Sequence, residues 1–249
     1  MQPERALLWD GCVNVRDLGG HPTADGRTTR FGAVVRADSV RALSDAGWDA
    51  LLAYGVSRIV DLRFHSELAL DPPRDLTVEV VHVPLMPEID DEEWVEIDAA
   101  GDAQPDAAGS IRAVYLELLE RRRPQFGAAI AAVAAAPEGP VVVHCHGGKD
   151  RTGLVVALLL RLVGVDAETI GADYALSGPN LRERTAEWIA AAEDDLERER
   201  RRRIGNTPAE AMVAVLEELE RRYGSVREYL HAAGVDPVTV DKVRARLVE

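Results

Sequence analysis

At 249 residues, 47% of them hydrophobic, the chain is long enough to bury a full core and sits at the upper end of a single domain. Its formal charge of −14 argues against a surface built for nucleic acid or for an anionic membrane, since both demand a net excess of Lys and Arg. Any anion that it binds must be met locally.

The chain opens on "MQPERALLWDGCVNV", which lacks an apolar core of signal-peptide length, and its most apolar stretch, "LVVALLLRLVGV" (154–165), is short and broken by Arg161. With only two cysteines, Cys12 and Cys145, a disulfide scaffold is excluded. That usage points to a reducing compartment and a cytoplasmic location, or export without a recognisable signal. Cys12 reads as a buried structural cysteine, with a redox partnership to Cys145 as the sharper alternative. β-Branched runs follow at 33–37 (AVVRA), 57–62 (SRIVDL), 78–84 (VEVVHVP) and 140–145 (PVVVHC), separated by helical patterns at 44–54 and on either side of Pro124. Such alternation predicts an α/β fold with a central, mostly parallel sheet flanked by helices.

After residue 150 the strand signal stops and helix-start signals take over, predicting an all-helical C-terminal half. Asp166 caps one helix, "TPAE" (207–210) and "SVRE" (225–228) read as capping boxes, and Asp236 precedes Pro237 in the same manner. Met212, Val215, Leu216, Leu219 and Tyr223 share one helical face and read as core. The expected organisation is one domain over 1–249 with two embellishments, an acidic surface insertion at 86–110 and a candidate helical lid at 180–206. The run "EDDLERERRRR" within the latter reads as a solvated helix face, or as a mobile lid whose arginines meet a phosphorylated substrate.

The informative stretch is "VVVHCHGGKDRTG" (141–153). A buried strand ends at His144, a helix starts near Arg151, and "HGGKD" between them is a tight loop that delivers backbone N–H groups to a helix N-terminus. Unpaired amides and the positive end of the helix dipole make such a loop an anion site, and Gly147 and Gly148 let it curl without a Cβ clash. The field that holds phosphate also favours a thiolate at Cys145, a nucleophile in line for phosphoryl transfer. Arg151, after five intervening residues, offers a fork for two phosphate oxygens, and Thr152 a hydroxyl for the thiolate as it leaves. Of the 29 basic residues only Lys149 and Lys242 are lysines, which marks Lys149 as a point charge chosen for its own chemistry.

Cys, five residues and Arg, directly after a strand ending in His, resembles the signature of the cysteine-based protein tyrosine phosphatases. The fuller "HCHGGKDRTG" is similar to the bacterial branch of tyrosine and dual-specificity phosphatases that includes mycobacterial protein tyrosine phosphatase B, a branch noted for activity on phosphotyrosine, phosphoserine/threonine and phosphoinositides. "NVRDLGG" (14–20), "RADSV" (36–40), "DLRFHSE" (61–67) and "YGSVREYL" (223–230) look like its other motifs. The resemblance implies a phosphatase that forms a phosphocysteine, without metal or cofactor, on a phosphorylated protein or phosphoinositide. Cys145 would be the nucleophile and Arg151 the phosphate clamp, with His146, Gly147, Gly148, Lys149 and Thr152 lining the substrate site. Lys149 would add charge for polyanionic head groups, while His144 would tune the thiol from behind. Asp61 matches an aspartate near the phosphate loop, with a strand-end cap as its plainer role.

For the general acid the family pattern offers Asp150. Other tyrosine phosphatases use an Asp on a separate loop after a Trp-Pro pair, which is absent here, so Asp90 and Asp91 in the acidic stretch stand as the alternative. Competing readings fit less well. "HCH" lacks a second ligand pair at zinc spacing, and a nucleotide loop would need Ser or Thr where Asp150 stands. A rhodanese-type sulfur carrier does not account for Arg151, and an inactive phosphate-binding module of the same fold would be expected to have lost Cys145 or Arg151.

Overall fold

The β-branched runs form the sheet. In the computed structural model, which describes residues 4–70, 78–86, 88 and 92–248, they become β2 (Val34–Ala37), β3 (Arg58–Asp61), β4 (Glu79–His82) and β5 (Val141–His144). A two-residue strand that the sequence pattern did not announce, β1 (Arg16–Asp17), pairs antiparallel with β2; two residues are too few to show a period of 2. The order is β1-β2-β5-β3-β4, and every pair beyond the first is parallel.

β5 therefore lies between β2 and β3, with Val143 opposite Arg36 on one side and Val60 on the other. Alternation along the strands divides the interior. Val141 and Val143 join Val34 and Val60 in one core, while Val142 faces the other with Val35, Ile59, Trp48 and Leu51. Because the strands are parallel, the ends of β2, β5, β3 and β4 share one edge, where open α/β sheets present ligand sites.

The helices are α1 (Asp45–Ala53), α2 (His65–Leu70), α3 (Glu92–Asp102), α4 (Ala107–Arg121), α5 (Arg123–Ala134), α6 (Asp150–Leu162) and α7 (Ala167–Ala175). They continue with α8 (Ser177–Asn180), α9 (Arg182–Ala190), α10 (Asp195–Gly205), α11 (Ala209–Tyr223), α12 (Val226–Ala232) and α13 (Pro237–Leu247). α6 is buried from Arg151 to Leu160, as its all-round apolar pattern requires, and Arg161 escapes through an ion pair with Glu220 at 2.7 Å. No described helix is long and apolar enough to cross a membrane.

Three of the four expected helix starts carry their cap. Asp166, Ser225 and Asp236 accept from the amides of Thr169, Glu228 and Thr239 at 2.7, 3.1 and 2.8 Å. The box at 207–210 does not form. Pro208 stands at the N-cap, and the Thr207 hydroxyl donates instead to the Ala175 carbonyl at 3.2 Å, where α7 ends. The acidic stretch 86–110 carries α3 and the start of α4, and Ile97 of α3 is fully buried.

Candidate active site

The loop from Cys145 to Lys149 leaves the central strand and turns into α6. Its carbonyls are tied down from outside. Ser39 N donates to His146 O at 2.9 Å, Asn14 Nδ2 to Gly147 O at 2.9 Å, and an Arg36 guanidinium nitrogen to Gly148 O at 2.7 Å. With the carbonyls held outward, the N–H groups are turned the other way. Among the described residues, no protein acceptor pairs with any backbone N–H from His146 to Thr152. A row of unpaired amides at the N-terminus of a buried helix is a strong anion site.

Gly148 makes the curl feasible. Its φ is +65°, and a Cβ there would stand 2.4 Å from the Ala37 carbonyl oxygen at the end of β2. Gly148→Ala is expected to cost roughly 1–2 kcal/mol from conformation alone and more from the clash. A lowered Tm together with lost oxyanion binding checks this; an unchanged Tm would contradict the loop geometry.

Cys145 sits in the loop with 2% of its surface exposed. The Arg151 guanidinium lies 4.3 Å above the Phe64 ring and is gripped by Glu67, NH2 to Oε1 at 3.0 Å and NH1 to Oε2 at 2.5 Å. Burial opposes its charge, but the neighbouring Cys145 and the Glu67 carboxylate raise the Arg151 pKa above its ordinary value. Glu67 uses two of the five N–H groups of the fork, leaving three. Thr152 is fully buried and its Oγ1 has no hydrogen-bond partner among the described residues. A buried orphan hydroxyl is costly unless something else is meant to meet it.

Behind the loop stand His144 and Asp61. Nδ1 of His144 is 3.2 Å from the Cys145 carbonyl, and Nε2 is 3.6 Å from Asp61 Oδ2. Burial lowers the imidazole pKa against the pull of Asp61. Burial would raise the Asp61 carboxyl, but His144 and Arg63 hold it below the usual carboxylate range. Asp61 also accepts from the Arg63 amide at 3.0 Å. It is thus both a strand-end cap and a neighbour of the loop, with no exposure to the mouth of the site.

A sequence profile of the tyrosine phosphatase family matches residues 7–249. The chain belongs to the tyrosine phosphatase family. It is similar to a tyrosine-protein phosphatase of Nostoc commune, 32% identical over 224 residues, spanning 86% of this chain and 74% of that one. It is also similar to the triple-specificity protein phosphatase PtpB of Mycobacterium tuberculosis, 29% identical over 272 residues, spanning 96% and 97% of the two chains.

Lys149 and the arginines of 198–203 meet partners that the sequence did not announce, whereas Cys12 fits its reading as a structural cysteine. Lys149 does not stand free over the loop: its Nζ donates to Ile204 O at 2.6 Å, approaches Asn206 O at 3.4 Å and lies 3.3 Å from Asp150 Oδ1. The arginines of 198–203 are likewise engaged. Arg200 and Arg203 pair with Asp98 and Asp102 of α3, Arg198 and Arg202 with Asp195 and Glu199 of their own helix, and Arg201 with Glu197 and the Trp188 carbonyl. Two of these arginines thus meet carboxylates of α3 and three meet partners on α10 itself or on α9, so each has a protein partner. Cys12 donates to Ser39 O at 3.3 Å, and burial with the Asp38 charge pushes its thiol far up. Such a protonated thiol is inert.

Asp150, the family pattern's general-acid candidate, accepts at Oδ1 from Tyr115 OH at 2.6 Å and stands 3.3 Å from the Lys149 ammonium, partners that the sequence did not announce. Asp90 and Asp91 lie outside the described residues. Sequence reasoning gave no role to Glu67, Asn14 or Arg36, although each stands in a quoted motif, and it had no signal for Tyr115.

Proposed function

We propose that this phosphatase hydrolyses phosphate monoesters through a phosphocysteine at Cys145, acting on phosphotyrosine and extending to phosphoserine/threonine and phosphoinositides. The observation that carries the proposal is the unpaired amide row from His146 to Thr152, running from the loop after Cys145 into the first turn of α6, with the Arg151 fork held beside it. Amides and guanidinium bind the nonbridging oxygens and neutralise charge as it spreads over them in the transition state. The Cys145 thiolate attacks phosphorus, the ester P–O bond breaks, and Asp150 gives its proton to the leaving oxygen. In the second half Asp150 takes a proton from water as that water attacks phosphorus. The S–P bond breaks, and the orphan Thr152 hydroxyl donates to the departing thiolate. Glu67 and Phe64 hold the clamp in register, which no motif position alone conveyed. A free thiol as nucleophile suits a reducing compartment.

Acid quench of the enzyme with a phosphomonoester should trap one phosphoryl group on the peptide carrying Cys145. Activity should persist in EDTA. A phosphorylated histidine, or loss of turnover on chelation, would replace this chemistry with another.

Lys149 extends the reading to polyanionic substrates, since it sits in the loop as a mobile point charge once its carbonyl partners at the end of α10 give way. Lys149→Ala is expected to lower kcat/KM for a phosphoinositide several-fold more than for p-nitrophenyl phosphate. Equal losses on both would reduce Lys149 to a fastener of α10.

A further inference from the structure

Asp150 opens α6 with its side chain 41% exposed. It stands beside the amide row, so its carboxylate has a ready alternative: turning back to cap its own helix and occupying amides that substrate needs. What it does instead is set by two tyrosines from other helices. Tyr115 on α4 and Tyr174 on α7 are both buried, ring edge to face with centroids 6.1 Å apart. Tyr115 OH donates to Asp150 Oδ1 at 2.6 Å, and Tyr174 OH lies 3.0 Å from Tyr115 OH. A phenol has one proton and a carboxylate only accepts, so the proton of Tyr115 is committed to Asp150 and Tyr174 donates to Tyr115. Burial first, then the Asp150 charge, raises both phenols well above their ordinary value, so the relay stays protonated.

The two oxygens of Asp150 are thereby made unequal. Oδ1 faces Tyr115 OH and, at 3.3 Å, the Lys149 ammonium. Among the described residues no donor reaches Oδ2. A carboxylic acid with donors on one oxygen carries its own proton on the other. We infer that Tyr115, backed by Tyr174, is a positioning residue that binds Asp150 through Oδ1, keeps it off the helix amides, and leaves Oδ2 to deliver the proton to the leaving group. The inference rests on Asp150 being the general acid. Tyr115 touches neither phosphate nor leaving group; it acts by fixing one rotamer of the group that does, and orientation of this kind is a recognised share of catalysis.

Three variants, Tyr115→Phe, Tyr174→Phe and Asp150→Asn, assayed on phenyl phosphate and p-nitrophenyl phosphate across pH, test it. Phe preserves the buried rings, and Tm measurements identify any variant that has lost its fold. Tyr115→Phe should lower kcat on phenyl phosphate about tenfold, part of the roughly 10²- to 10⁴-fold that a general acid supplies, with KM unchanged. On p-nitrophenyl phosphate, whose phenolate leaves unaided, the loss should stay within about twofold. The alkaline limb should also move to higher pH, since the ionised carboxylate loses a donor that favours it. Tyr174→Phe should give the same pattern more weakly, and it carries the test should Tyr115→Phe be misfolded. If Asp150→Asn discriminates between the two substrates while Tyr115→Phe lowers both equally and leaves the limb in place, the tyrosine is structural only and the inference fails alone. If Asp150→Asn itself does not discriminate, Asp150 is not the acid and both ideas fall.

Discussion

Cys145→Ser should abolish turnover while leaving the oxyanion site intact. Loss of a nucleophile costs on the order of 10⁴- to 10⁶-fold, because a serine hydroxyl, unlike a thiol, is not ionised near neutral pH while Asp150 holds the proton meant for the leaving group. Binding should survive, since the amides of residues 146–152 and the Arg151 fork held by Glu67 belong to the loop and the first turn of α6, not to the thiol. Retained binding is measurable as stabilisation by phosphate or vanadate, worth about 2.7 kcal/mol at a ligand concentration one hundred times Kd. Turnover near the wild-type rate in Cys145→Ser would remove the phosphocysteine from the mechanism. Loss of oxyanion binding with the fold retained would mean that the amide row is not the phosphate cradle.

Asp150→Asn is expected to produce the second-largest effect, and one selective for the leaving group. Phosphotyrosine and phenyl phosphate, whose oxygens leave poorly, should slow by about 10²- to 10⁴-fold, while p-nitrophenyl phosphate should slow far less. The alkaline limb of the pH profile should vanish, because it reports the acid that must stay protonated. The sign is specific: rate is lost as pH rises through the ionisation of Asp150, and an amide in its place has no proton to lose. Should Asp90→Asn or Asp91→Asn give that pattern and Asp150→Asn not, the acid resides on a separate loop. In that case the Tyr115 contact at 2.6 Å serves packing alone.

Ion pairs between α3 and α10 separate two levels of determination. Asp98 and Asp102 belong to a stretch whose composition reads as an acidic insertion, and Arg200 and Arg203 to one that reads as a basic helical lid. Nothing in either announces that they pair with each other across about one hundred residues. Exposed pairs of this kind contribute little individually, about 0–1 kcal/mol, so their consequence is to engage charges that the sequence offered to substrate.

The features that the amino-acid sequence determined by itself are those whose partners lie within a few residues. The strand 141–144, the turn permitted by Gly148, the buried helix from Asp150, the spacing of Cys145 to Arg151, and the caps at Asp166, Ser225 and Asp236 are all of this type. Each depends on backbone hydrogen bonds or on burial periodicity along one element. Tertiary structure decided what crosses between elements. Placing β5 between β2 and β3 brings Asn14 and Arg36 onto the loop carbonyls and Glu67 onto Arg151. Packing of α4 and α7 against α6 sets Tyr115 on Asp150, and the end of α7 takes the Thr207 hydroxyl from its expected cap. A side chain's reach is fixed by its type, but which donor or acceptor lies within that reach is fixed by the packing of distant segments, and a single sequence carries no distance between them.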